Sequence, residues 1–114
     1  MQLNIQDDST QNINSCFEEA SNFIKEGIEN GGCLVHCAFG ISRSASLVIA
    51  YLMRDKNWKF DETFKYVLEK RKIIAPNCGF QDELRQYEID LGLSTKEDLL
   101  EYYKKPNYYF SKYA

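Results

Sequence analysis

Between Arg43 and Asp55 the chain is apolar on nearly every side, through Ala45, Leu47, Val48, Ile49, Ala50, Leu52 and Met53. A helix of that kind has no face to give to water, so it belongs at the centre of a domain with other elements around it. The flanking sequence offers candidates. Ile13, Cys16, Phe17, Ala20, Phe23, Ile24 and Ile28 follow helical spacing. Glu18 and Glu19 lie early in this stretch, where the helix dipole favours them, and Gly31-Gly32 ends it. A third helix is expected from about Phe60 to Lys72, with Phe60, Phe64, Val67 and Leu68 on one face, stopped by Ala75-Pro76-Asn77-Cys78-Gly79. A fourth begins near Phe80 and ends at Leu91-Gly92. Ser94 and Glu97 have capping-box spacing and open a fifth that reaches about Lys104, before Pro106 and an aromatic tail. Leu3–Ile5 and Cys33–His36 read as short strands, the second of them buried. The expected fold is therefore α/β, with a minimal sheet wrapped by four or five helices.

The 114 residues suffice for one domain, expected over residues 1–104 with residues 105–114 as a tail. A formal net charge of −3 argues against broad attraction to nucleic acid or anionic membrane, so any anion site must be local. The mostly apolar run from Ala45 to Met53 is far shorter than the ~20 residues a bilayer crossing needs. The opening Met1-Gln2-Leu3-Asn4 has no basic n-region or cleavage site. With only four cysteines, reduced thiols in a cytoplasmic or nuclear setting are expected. No CxxC pair occurs and His36 is the single histidine, so neither a metal nor another cofactor is expected.

The chemistry lies in Val35-His36-Cys37-Ala38-Phe39-Gly40-Ile41-Ser42-Arg43-Ser44-Ala45-Ser46. A strand delivers a cysteine into a tight loop, and a buried helix leaves that loop. Backbone N–H groups at a helix start lack intrahelical partners and can bind an anion. Gly40 lets the loop curl into a concave nest of such donors. A sulfur above the nest sees the same positive field, which favours its thiolate and draws its pKa below the free value of about 8.5. Arg43 supplies a planar fork that can hold two phosphate oxygens at once. Taken alone, a Cys and an Arg at this spacing read first as a structural thiol and an ordinary helix-start cation. The surrounding glycine, serines and buried helix favour in-line attack on phosphorus, with Cys37 as nucleophile and Arg43 as clamp.

This segment resembles the signature loop of the cysteine-dependent protein phosphatases, H-C-x5-R-[S/T]. It is most similar to the dual-specificity branch, through Gly40-Ile41-Ser42-Arg43-Ser44-Ala45 and Tyr51-Leu52-Met53. The likeness runs from about Asp7 to Tyr87 and includes Phe17-Glu18-Glu19-Ala20, Arg71, Pro76-Asn77 and Gly79-Phe80. It implies hydrolysis of phosphotyrosine, and of phosphoserine or phosphothreonine, in protein substrates through a phosphocysteine intermediate. By the same resemblance Asp7, ten residues before Phe17, is the general acid, with Asp8 as the fallback. Ser44 donates to the departing thiolate, and Ala38, Phe39, Gly40, Ile41, Ser42 and Arg43 bind the phosphate. His36 is expected buried beside the cysteine, and Asn77 braces the loop or is a plain turn residue after Pro76. Cys16, Cys33 and Cys78 read as core or turn thiols.

Two departures follow from the same likeness. The family carries further strands before its general acid, including those that flank the strand ending at the nucleophile, whereas this chain begins almost at the acid. A fragment, a chain whose sheet is completed by a partner or a missing N-terminal segment, and a phosphoresidue-binding module without turnover all fit that observation. In addition, Glu83 stands where the family usually has Gln.

Overall fold

The computed structural model describes residues 12–37 and 42–106. After a single 3-10 turn at Asn14–Cys16 come five α-helices: α1 Phe17–Glu29, α2 Arg43–Lys56, α3 Phe60–Lys70, α4 Cys78–Asp90 and α5 Lys96–Tyr103. The expected α/β fold is not what these residues form, because no strand occurs among them. The expected strand Cys33–His36 lies in irregular chain, with Leu34 84% exposed. A strand exists only as half of a ladder, and no second extended segment lies beside it among the described residues. The other strand candidate, Leu3–Ile5, falls outside them.

The central helix is α2. It packs against α1, α3 and α4 and buries Ser44, Ala45, Ser46, Leu47, Ile49, Ala50, Tyr51 and Met53. Around it Ile13, Phe17, Phe60, Phe80 and Leu84 are fully enclosed and belong to the apolar core that holds the helices together. The α2 chain ends at Asn57, whose φ of 57° places it in the left-handed region that asparagine tolerates.

The return from α1 toward the site is set by glycine. Gly31 and Gly32 take φ values of 118° and 148°, open to residues without a Cβ. The Gly32 N–H then donates to the Gly27 carbonyl at 2.8 Å, folding the chain back over the last turn of α1. A Cβ on Gly27 would stand 2.9 Å from the Cys33 Cβ, so this close approach requires glycine there too. The doubled-back chain runs from here to Cys37.

α5 opens one residue later than the capping-box reading placed it. Thr95 accepts the Asp98 N–H, and the Asp98 carboxylate accepts from the Thr95 N–H. Ser94 donates instead to Glu88. Glu88 also accepts the Phe60 N–H at 2.6 Å and so satisfies the first turn of α3. α5 is fastened to α4 by buried Arg85, which lies between the rings of Phe60 and Tyr102 and pairs with Asp61 at 3.1 Å. Tyr103 adds a hydrogen bond to Asp82 at 2.6 Å.

A polar lock joins three helices. Tyr87 of α4 donates to Glu18 of α1, which pairs with Arg54 of α2 at 2.8 Å, and Arg54 also reaches Asn22. The Tyr87 hydrogen bond and then the Arg54 guanidinium hold the Glu18 carboxyl below its usual 4.5. Burial and then Glu18 push the Tyr87 phenol well above its usual range. A depressed carboxyl contributes stability that is present above its unfolded pKa and is lost as pH falls through the folded value. Urea unfolding should therefore show wild type more stable than Glu18→Gln at neutral pH, the gap closing as pH drops below 4.5. A gap that does not change with pH would rule this contribution out.

Candidate active site

Cys37 ends the doubled-back segment, and Ser42 begins the next described stretch immediately before α2. The first turn of α2 comes up against the sulfur. The Ser44 N–H donates to Cys37 Sγ at 3.4 Å, and the Cys37 thiol and Ser44 hydroxyl are 3.5 Å apart. One residue thus meets the sulfur twice, its N–H donating to Sγ and its hydroxyl accepting from the thiol, at the positive end of a 14-residue helix. Ser44 itself is buried and Cys37 is half-buried.

Arg43 is the first residue of α2 and is half-buried. The residue before it, Ser42, is almost wholly enclosed. Its carbonyl accepts both the Ser46 N–H at 2.9 Å and the Ser46 hydroxyl at 2.7 Å. Its own hydroxyl does not cap α2. That oxygen accepts the Asn77 N–H at 3.0 Å, tying the start of α2 to the start of α4. Asn77 is the N-cap of α4, its Oδ1 accepting the Phe80 N–H at 2.9 Å, so α4 begins two residues before the sequence pattern suggested. Gln81, fully buried, holds the Pro76 carbonyl at 2.9 Å and fixes the approach to Asn77. Two helix N-termini are therefore tied together, and the first of them meets the cysteine.

The structure brings together Cys37 and Ser44, and links Ser42 to Asn77. His36 is exposed rather than buried beside the cysteine, because nothing among the described residues covers the outer side of the Cys33–His36 segment. Asp7, Asp8, Ala38, Phe39, Gly40 and Ile41 lie outside the described residues. None of the four cysteines is in a disulfide: Cys16, Cys33 and Cys37 are half-buried, and Cys78 is exposed on the first turn of α4. No group of three His, Cys, Asp or Glu side chains suited to a metal ion occurs among the described residues, and no helix there is long and apolar enough to cross a membrane.

The sequence offered loop bracing as one of two uses of Asn77 but did not name Ser42 as its partner, since a serine in a loop has commoner local uses. Sequence reasoning missed Glu83, whose carboxylate accepts the Ile13 N–H at 3.0 Å and the Asn14 N–H at 3.3 Å. The only sequence signal at that position is its departure from the Gln usual in the family.

A cysteine held by the N-terminus of a buried helix, with arginine and serine opening that helix, defines a cysteine-dependent phosphatase type of site. Residues 1–90 match the family model described as dual specificity phosphatase, catalytic domain, and the chain belongs to that family. It is 45% identical over 90 residues to MAP kinase phosphatase with leucine-rich repeats protein 1 of Dictyostelium discoideum, covering 79% of this chain and 11% of that protein. To human dual specificity protein phosphatase 5 it is 44% identical over 92 residues, covering 80% of this chain and 24% of the relative. Among solved structures, human tyrosine phosphatase-like serine/threonine/tyrosine-interacting protein superposes with a TM-score of 0.74 at 43% identity. That match covers 77% of this chain and 59% of the other. The chain thus spans a small part of the two curated relatives and about three-fifths of the solved one.

Proposed function

We propose that this chain hydrolyses phosphotyrosine, and also phosphoserine or phosphothreonine, in protein substrates, with Cys37 as nucleophile. The observation that carries the reading is the Ser44 N–H aimed at Cys37 Sγ from the first turn of α2. That field favours the thiolate over the thiol. In the first step the thiolate attacks phosphorus, an S–P bond forms, and the P–O bond to the substrate side chain breaks. The electron pair goes to the leaving oxygen, which takes a proton from Asp7. Arg43 and loop N–H groups hold the equatorial oxygens as charge gathers on them. In the second step water attacks the phosphocysteine, giving its proton to the Asp7 carboxylate. The S–P bond breaks, and the Ser44 hydroxyl, in contact with sulfur, donates to the returning thiolate. The chemistry draws on no metal or organic cofactor.

The test is phosphate release from a phosphotyrosine peptide and an aryl phosphate, both in excess chelator. Release at a rate proportional to protein concentration is expected, and its absence would defeat the proposal. A second reading, a phosphoresidue-binding module without turnover, draws on the bare outer side of the nucleophile segment, where Leu34 and His36 are exposed. Retained binding of the phosphopeptide with no release would select it.

A further inference from the structure

Glu83 lies midway along α4, and its two carboxylate oxygens each take one main-chain donor from across the fold, Ile13 at 3.0 Å and Asn14 at 3.3 Å. These amides open the 3-10 turn that leads into α1, where no side chain of the turn or of α1 caps the helical start. Two donors aimed at two oxygens suit a carboxylate. A carboxamide would turn an NH2 toward one of the N–H groups and lose that bond. Ile13 is also fully buried, so side chain and main chain fix the same point.

The other end of α4 holds the nucleophile loop, through the Asn77 N–H on the Ser42 hydroxyl. Asn77 and Glu83 are six residues apart, about 9 Å along the helix. One rigid helix therefore references both the residue beside Arg43 and the point from which the N-terminal segment departs. Asp7 precedes Ile13 by six residues in sequence. Six residues span at most about 20 Å, which keeps Asp7 within that distance of the anchor.

We propose that Glu83 is a positioning residue whose grip on Ile13 and Asn14 sets the take-off of the segment carrying the general acid. This rests on the phosphatase reading above. A carboxylic acid must lie within hydrogen-bond reach of the leaving oxygen to protonate it. Loosening its tether impairs protonation while leaving thiolate attack intact. The cost then depends on the leaving group. An unsubstituted phenolate, with a pKa of about 10, needs the proton, whereas a nitro-substituted phenolate departs without it.

The experiment compares kcat/KM for phenyl phosphate and 4-nitrophenyl phosphate in wild type, Glu83→Gln, Glu83→Ala, Asp7→Ala and the Asp7→Ala/Glu83→Ala double variant. Amide exchange at Ile13 and Asn14 is followed alongside. Glu83→Ala should lower turnover of phenyl phosphate by about tenfold or more and that of the nitrophenyl ester by no more than about twofold. Glu83→Gln, which keeps one acceptor, should fall between. Both amides should exchange faster, and the double variant should be no slower than Asp7→Ala alone, since the two residues act through one step. Equal losses on both esters, fully additive losses, or unchanged amide exchange would overturn the proposal. Should Glu83→Ala fail to fold, Glu83→Gln carries the same comparison. A wild type inert toward both esters removes the phosphatase reading and this inference with it, whereas an active wild type with leaving-group-insensitive variants removes this inference alone.

Discussion

Cys37→Ser is expected to lower phosphate release by roughly 10^4-fold or more while phosphopeptide binding persists. The exchange replaces one atom. Sulfur ionises far more readily than a serine hydroxyl, and only the ionised form attacks phosphorus. The side chain keeps its shape, half-buried against Ser44. An oxygen there can still accept the Ser44 N–H. If Cys37 acts as the proposed thiolate nucleophile, the exchange also removes a negative charge beside the bound phosphate, so affinity for a phosphotyrosine peptide should hold or rise. The measurement pairs single-turnover release with equilibrium binding of the same peptide. Release that survives the substitution would mean that another group performs the chemistry, and the phosphocysteine would have to be abandoned.

The helices were legible because their periodicity states which residues need burial. Phe17, Ala20 and Ile24 line one side of α1 and are enclosed as the spacing requires. The same pattern included Phe23 and Ile28, which are 43% and 51% exposed. Periodicity marks a face suited to burial without saying what covers it. Cys33–His36 fails for the same reason: apolar residues in a row permit a strand, but a ladder requires a neighbour that a single segment cannot specify. The cap of α5 slipped by one because Ser94/Glu97 and Thr95/Asp98 both fit the capping pattern. The choice fell to Glu88, which occupies the Ser94 hydroxyl from a different helix.

At the site, legibility followed sequence distance. Cys37 and Ser44 lie on either side of one loop, so their meeting was implied by the motif. Ser42 and Asn77 are 35 residues apart, and Glu83 is 70 from Ile13. Those pairings arise from how α4 docks on α2 and on the turn before α1, a tertiary outcome that no local pattern encodes. The residues that surround the chemistry were therefore harder to find than those proposed to perform it.

Arg43→Lys carries the second large effect, an expected loss of about 10^2 to 10^3-fold in kcat/KM, with Arg43→Ala losing more. Arg43 opens α2 and precedes the residues that pack the core, so substitution there should leave the fold intact by circular dichroism. Lysine keeps the charge at that position. What it gives up is the planar fork that donates two parallel hydrogen bonds to two phosphate oxygens. Those oxygens spread apart as phosphorus becomes five-coordinate, so a fork matched to that geometry acts more on the transition state than on the bound substrate. Lysine should then depress kcat more than it raises KM, and inorganic phosphate should weaken only modestly as a competitive inhibitor. If Arg43→Lys turned over phosphopeptide as well as wild type, charge alone would suffice and the clamp would have no geometric role. If KM rose while kcat stayed constant, Arg43 would act in substrate binding, and the stabilisation of the equatorial oxygens would have to come from the loop amides.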